Sequence, residues 1–583
     1  AVITPLMFVG GFPQTIYRPL MSTLIIALVI SYILSITLVP KISYYLYKNG
    51  HKKNRFENFL EMFYAKTLGA LMPSYIAALA FAHKSLLRRV LITLGMIGIL
   101  MVSLKVVMPL IGKDTMPPMD TGIIKASIAF SPNDTVQNAE KKLQPFIKWL
   151  HDQKEVVTSS VSFGTEPGVL SLGSGNLPTE ATLTINCVNR FEREKNLWTI
   201  EDAIRDELHK IEGISKVDVY DFGATAISSI KAPLTTRLAS KDPSLLLEGA
   251  KKVQEQMQTI KGLSSTSLSW DSDQIEATLE IDTNKALSFG LTPYKILEQL
   301  PLGGKIISYG ASLQSLSAQP IRIYLDATKQ QDIANLQTML IQTPSGPIAL
   351  GELASINMNF TTAKVERTNM LYTIDVKGYR TSRAITHLTE ELESKIASLH
   401  LEGVEIAQEG DIALLNDSFS RMIKAVVMGL ALLFMALAAI YASFKLSFIM
   451  IFTLPFAMIG ASWGMLAFDK PSCMPSMIGI LLLFGILIKN SILLIDFYKE
   501  KRKELPPYES AIESIKLRFR PVMMTAFATI AGMIPIVLER AIGLEKLSPL
   551  ADVAVGGLLV GTLLILFFVP MMAYSTDKEK IKE

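Results

Sequence analysis

Lys489 lies inside the apolar run Met474–Phe497, MPSMIGILLLFGILIKNSILLIDF. At 1.5 Å per residue this run is long enough to cross a bilayer core of about 30 Å. A lysine at mid-membrane costs about 3 kcal/mol on insertion scales, and is kept where it faces other protein and pairs with an acid. Lys499, which opens the following basic stretch, is ten residues further on. That is roughly 15 Å along the axis, more than a lysine can snorkel. Such a group suggests half of a buried ion pair in an ion-coupled transporter. The plain alternative is a tolerated lysine opposite a polar loop. Asp496 sits seven residues on, about 10.5 Å away along the axis, and cannot be the direct partner. Lys499 is its expected mate.

The elements that must position Lys489 are membrane helices. Apolar spans are predicted near Leu20–Pro40, Val90–Leu110, Ile423–Tyr441, Leu446–Phe468, Met474–Phe497, Pro521–Leu538 and Leu550–Met572. The opening AVITPLMFVGG reads as the tail of another helix rather than a signal peptide, so the chain is expected to start mid-helix as a fragment. Connections alternate in basicity: nine Lys/Arg fall in Lys41–Arg89 and seven in Lys499–Arg520. Opposite loops hold only Lys470, and Arg540 with Lys546. The basic loops are thus expected on the cytoplasmic side. Phe56, Phe59, Leu60 and Phe63 form one apolar stripe beside Lys52, Lys53 and Arg55, as in a helix lying on membrane lipid.

Between the second and third complete spans lies a soluble insert, roughly Ile111–Met422. Strands are predicted at Thr121–Phe130, Glu180–Val188, Leu234–Ala239 and Leu371–Lys377, each followed by a helical stretch. Gly213, Gly262 and Gly403 each stand between a helix end and a further strand, where a left-handed cap is needed. The fold class is therefore a membrane α-helical bundle plus an α+β insert of split, ferredoxin-like βαβ subdomains. Composition agrees: 49% of residues are hydrophobic and 19% charged, against about 25% charged in soluble chains. A net charge of +4 gives no sign of nucleic-acid binding. Cys187 and Cys473 fall in distant segments, which argues against a disulfide framework or a cysteine metal site.

The stretches GGFPQTIYRPL, IYASFKLSFIMIFTLPFAMIG, IKNSILLIDF and RFRPVMMTAFATIAGMIPIVL, in this order around the insert, make the chain resemble the C-terminal half of a resistance–nodulation–division (RND) efflux pump of Gram-negative bacteria. The resemblance implies a non-enzymatic, multi-pass inner-membrane permease with a large periplasmic part. It also implies a homotrimer, a periplasmic adaptor, an outer-membrane channel, and proton-motive force in place of any cofactor. The implied layout is membrane segments at 1–110 and 423–583, a first porter subdomain at 111–230, a second at 231–283 and 361–422, and a docking subdomain at 284–360. In the family a lysine of the tenth transmembrane helix pairs with two aspartates of the fourth, and their protonation loosens the pairing. Lys489 matches that lysine and Asn490 follows it, while Arg518 and Thr525 match an arginine and a threonine of the proton relay. Thr525 equally suits a hydroxyl bonded to its own helix backbone.

The resemblance also places a glycine-rich switch loop at Phe163–Pro178, with Gly164, Gly168, Gly173 and Gly175 supplying freedom and Phe163 and Leu183 at pocket positions. A plain surface loop is the alternative. Multidrug members line that pocket with several phenylalanines, and here only Phe163 is placed. The heavy-metal branch is the rival, because the spacing of the insert also resembles it; copper and silver pumps there use a methionine triad of soft thioethers. Ala126, Thr179 and Ala226 stand at those positions, and Met116 and Met119 read as packing residues. Efflux of amphipathic organic compounds is the preferred expectation and heavy-metal cation efflux the alternative. A non-transporting or export-accessory relative is the further one.

Overall fold

The computed structural model describes residues 4–577 except 49–54, 56–61, 63–65, 67–68, 132–133, 165–176, 223–231, 272–273, 301–307, 310–320, 323–336, 363 and 382. The surface stripe expected at Phe56–Phe63 lies outside the described residues. The chain opens with α1 (Gly11–Tyr47), a shorter apolar helix α2 (Met72–His83) and α3 (Leu86–Ile111), which carries a π-turn at Ser103–Val107. Helix α2 was not among the expected spans.

The soluble insert follows as two units of one topology. In the first, β1 (Ile123–Phe130), α4 (Val136–His151), β2 (Val156–Phe163), β3 (Glu180–Cys187), α5 (Leu197–Leu208) and β4 (Ile214–Asp221) form an antiparallel sheet of order β2-β3-β1-β4. Side chains alternate along β1, so Ile124, Ala126, Ile128 and Phe130 are buried. Ala139, Leu143, Phe146 and Leu150 on one face of α4 meet them. Thr135 and Asn196 cap α4 and α5 by accepting from Asn138 N and Thr199 N.

The second unit repeats the plan with β5 (Leu234–Ser240), α6 (Pro243–Gln258) and β6 (Leu263–Leu268). It is interrupted by β7 (Gln274–Ile281), α7 (Thr283–Ser288), α8 (Pro293–Gln299), the short pair β8 (Ser308–Tyr309) and β9 (Ile321–Arg322), the hairpin β10 (Leu340–Thr343) and β11 (Gly346–Ala349), and β12 (Ala354–Thr361). It resumes with β13 (Glu366–Thr368), β14 (Leu371–Arg380), α9 (Ile385–Ala397) and β15 (Glu405–Gly410). Strand β14 lies between β6 and β5, and β15 flanks β5, giving the same antiparallel order. Strands β7 and β12 pair along their whole length, so this ribbon unites residues that the sequence reading divided at 284 and 360. Gly213, Gly262 and Gly403 all take the expected left-handed backbone, with φ of 83°, 99° and 75°.

Five helices close the chain: α10 (Asp411–Tyr441), α11 (Phe444–Ala467, with a 3₁₀ turn at Leu454–Phe456), α12 (Met474–Lys501), α13 (Pro507–Val537) and α14 (Ser548–Thr576). Among the described residues seven helices are long and apolar enough to span a membrane, matching the seven expected spans. Helix α14 packs against α11, α12 and α13, and glycines let it approach closely. A Cβ on Gly460 would stand 2.2 Å from Gly556 O, and one on Gly464 2.7 Å from Asp552 O. Small residues at four-residue spacing are how helices associate without a hydrophobic drive between them. Gly460→Ala or Gly556→Ala should therefore destabilise this chain by about 1–3 kcal/mol through overpacking. The check is its thermal unfolding in detergent. Gly532→Ala, which faces open space, should leave the transition in place.

Candidate functional site

Lys489 and Asn490 are consecutive on α12, so their side chains leave the helix about 100° apart. Asn490 is 2% exposed, its Nδ2 without a hydrogen-bond partner among the described residues. Lys489 is exposed and makes no ion pair or hydrogen bond among them. Leu482, Gly485, Ile486, Lys489, Leu493 and Asp496 recur at three- and four-residue spacing, forming a lane the chain leaves partly or fully open. A Cβ at Gly485 would meet nothing within 4 Å.

Arg518 of α13 places its guanidinium 3.7 Å from the centre of the Phe497 ring, a cation–π contact. Phe497 is eight residues past Lys489, about 12 Å along α12. Thr525 is seven residues past Arg518, about 10.5 Å back along the antiparallel neighbour. Thr525 therefore lies near the depth of Lys489, whereas Arg518 marks the basic-loop end. The Thr525 hydroxyl donates to Val522 O at 2.9 Å, the local bond that the sequence left open. Asp496 does not take Lys499 as its mate. It accepts a 2.7 Å hydrogen bond from Tyr441 Oη of α10, and Lys499 instead stands over the Tyr441 ring. A hydroxyl fixed by an adjacent helix outcompetes a flexible surface lysine.

The soluble candidates divide. Leu183 is fully buried in the core under α4 and α5, paired in register with Ala126 and Val161. Its expected place at a binding pocket is thus corrected: alternation along β3 turns it toward the helices. Phe163 is half-buried against the same core, its ring 6.4 Å from that of Phe130. Gly164 ends β2 with φ of 73°. Gly168, Gly173 and Gly175 lie outside the described residues, as does Ala226. Met116 and Met119 are buried, consistent with packing. Cys187 and Cys473 are free thiols.

A cleft of about 490 Å³ separates the two soluble units, and sequence reasoning did not find it. Its walls include Leu177, Glu180, Arg205, His209, Lys216 and Lys364, with the hydroxyl-rich β6 as one side. At the seam Ser267 Oγ donates to Asp218 Oδ2 at 2.8 Å, and Tyr220 stacks on Tyr379 with centroids 4.8 Å apart. Lys216 repels the neighbouring half-buried Lys377, whose ammonium is pulled down to about 8.

Two buried acids also escaped the sequence reading. Asp552 on α14 is fully buried and accepts from Ser548 Oγ at 3.2 Å. It lies about 6 Å from the soluble end of its helix and Lys489 about 22 Å, so the two are not partners. The acid inside LADVAVGG was the available signal. Asp114, just past α3, is fully buried; Arg380 at the end of β14 grips both its carboxylate oxygens, one at 2.9 Å. Burial pushes the Asp114 carboxyl upward while Arg380 opposes it. Nothing local in the sequence joins residues 266 positions apart.

A profile of the AcrB/AcrD/AcrF family matches residues 1–576. The chain belongs to that family. It is an RND permease chain and a multi-pass membrane protein. It is 27% identical over 587 residues to the swarming motility protein SwrC of Bacillus subtilis, covering 98% of this chain and 53% of that one. It is 26% identical over 596 residues to the multidrug resistance protein MdtC of Klebsiella pneumoniae, covering 100% and 56%. A crystal structure of a heavy metal efflux pump superposes with a TM-score of 0.78 at 17% identity, over 99% of this chain and 56% of that one. This RND chain thus spans about half the length of the curated relatives it matches.

Breaking the Asp114–Arg380 pair from one side should be costly. Asp114→Ala or Arg380→Ala leaves an uncompensated buried charge, worth about 3–5 kcal/mol. The double variant should be clearly less unstable than the sum. A double-mutant cycle on unfolding of the purified chain measures this, and strict additivity would refute the coupling.

Proposed function

We propose that this RND chain is the C-terminal half of a proton-driven permease that exports amphipathic organic compounds across a Gram-negative cell envelope. In this reading it works in the inner membrane as a homotrimer with a periplasmic adaptor and an outer-membrane channel, and the proton-motive force is its energy source. The observation that carries the reading is Lys489: a mid-membrane cation on an open lane of α12, with Thr525 near its depth and Arg518 one helical stretch away. A charge so placed is retained where an acid on another helix meets it and where that meeting is used. Protonation of such acids would release the ammonium and let α12 and α13 shift. The cleft between the soluble units is the natural entry for a bulky solute.

An organic substrate is favoured over a metal ion by the donor chemistry. Ala126 and Thr179 carry no sulfur and are buried, and no group of three His, Cys, Asp or Glu is placed to hold a metal among the described residues. The likeness to a heavy metal efflux pump, at 17% identity, is one of fold.

In the full-length pump, Lys489→Ala should abolish efflux at undiminished membrane level and trimer assembly. Lys489→Arg should fail too, because a planar fork does not replace a point ammonium between carboxylates. Resistance of a susceptible host to dyes, detergents and bile salts is the measurement, and normal resistance would overturn the role. Replacing Gly168 and Gly173 by proline should lower resistance to the bulkiest compounds first, by stiffening the loop. Tolerance to Cu, Ag, Zn and Co salts should not move. If deleting the intact gene lowers metal tolerance and spares the drug profile, the assignment passes to the metal branch.

A further inference from the structure

The two soluble units are joined to the membrane helices in different ways. The second unit runs straight into α10: β15 ends at Gly410 and the helix begins at Asp411. The first unit is tied covalently only through the extended segment 112–122 after α3. It has, however, a second and non-covalent attachment. Arg190, in the turn between β3 and α5, reaches the loop joining α13 to α14. Its Nη1 lies 2.5 Å from Glu545 Oε1 and 3.7 Å from Glu539 Oε2, and its Nη2 donates to the carbonyl of Glu539. Lys470, from the loop between α11 and α12, meets Glu539 from the other side at 2.6 Å.

This cluster is largely withdrawn from water: the Arg190 side chain is 18% exposed and that of Glu545 4%. Both ends are held rigidly. Arg193, three residues on and 1% exposed, pairs with Asp120 at the foot of β1, and Asp120 also accepts from Leu197 N at the start of α5. On the membrane side Glu539 takes a left-handed backbone, φ 50°, directly past the end of α13. That is an unusual conformation for a residue with a side chain, and it aims the carboxylate at the cluster. Helix α13 is the one that carries Arg518 and Thr525. A shift of α13 therefore reaches Glu539 and Glu545 through a single helix, and the first soluble unit through one guanidinium.

We propose that Arg190 is a positioning residue for transport: it transmits displacement of α13 and α14 to the first soluble unit, so that this unit moves relative to the second and changes the width of the cleft. The inference rests on the transport reading above. Its distinguishing feature is that charge complementarity, not the identity of either residue, does the transmitting.

The test uses the full-length pump in proteoliposomes with an imposed proton gradient, reading dye export and proton flux together. Arg190→Glu and Glu545→Arg should each lower dye export by about tenfold or more at unchanged amounts of assembled protein, with proton flux retained or raised relative to export. The exchanged pair, Arg190→Glu with Glu545→Arg, should recover export to within about twofold to threefold of the wild type. Should a reversal prevent assembly, Arg190→Gln serves instead: it keeps most of the side chain's reach without the charge and should lower export by a similar factor, while Arg190→Lys retains it. Single reversals that export normally, or an assembled Arg190→Gln pump that exports normally, would overturn the proposal. A wild-type pump that moves no dye under a gradient would instead overturn the transport reading, which keeps the two failures apart.

Discussion

Both chain crossings between membrane and soluble parts meet at one buried charge pair. Asp114 follows α3 on the way out, and Arg380 ends the central strand of the second unit. Around them Lys113 bridges Ser472 of the α11–α12 loop, Asp114 N donates to Ser472 O at 2.9 Å, and Thr115 Oγ1 donates to the carbonyl of Asp411 at 3.1 Å, where α10 begins. Gly112 turns with φ of 70°, and a Cβ there would stand 2.7 Å from that of Ala384. Four separate pieces of chain are thus locked within a few ångströms. A buried ion pair contributes little net stability, because desolvation offsets most of its attraction. What it does impose is registry, since any other alignment of these pieces strands two charges out of water.

Beyond this junction the membrane part divides into a tight block and an open rim. Helices α11, α12 and α14 interlock through Gly460, Gly464, Gly556 and Gly557, where added methyl groups would collide. Helix α1 presents apolar side chains outward, and one face of α12 is only partly covered. Lys489 belongs to the rim side of a helix whose other side is locked in the block. A charge on a face that is not packed by its own chain can respond to what meets it, while the block carries the response as a unit.

Much of the architecture was legible because its signals are local. Apolar length marks a membrane helix without reference to the rest of the fold, and a glycine after a helix announces a left-handed cap that the backbone then adopts. Strand β2 escaped notice because VVTSSVSF follows a helix that ends at His151 without a glycine, and its serines blur the alternation. The site was legible only in part for the same reason. Lys489 stands out against its own neighbours, whereas the Tyr441–Asp496 bond, the core position of Leu183, the cleft wall and the Arg190 cluster exist only once distant segments are assembled. Arg190 and Glu539 are 349 positions apart, a separation no periodicity can bridge.

The duplicated topology of the soluble insert gains meaning from how unequally its copies are wired. Two βαββαβ units of the same strand order would move together if both were fused to the same helix. Here the second continues directly into α10, with Gly410 wedged against the carbonyls of Ala232 and Pro233, so that rotation of the helix end must turn the sheet. The first hangs on an extended segment and an ionic contact to the α13–α14 loop. The seam between them is polar and mixed, a Ser267–Asp218 hydrogen bond beside stacked Tyr220 and Tyr379, rather than a continuous apolar core. Each unit has its own core, and the residues of one do not complete the other. Such an interface can be re-formed after sliding at modest cost, because no large apolar surface is exposed when it opens. Separate attachments and a polar seam are what a cleft needs if its walls are to move independently.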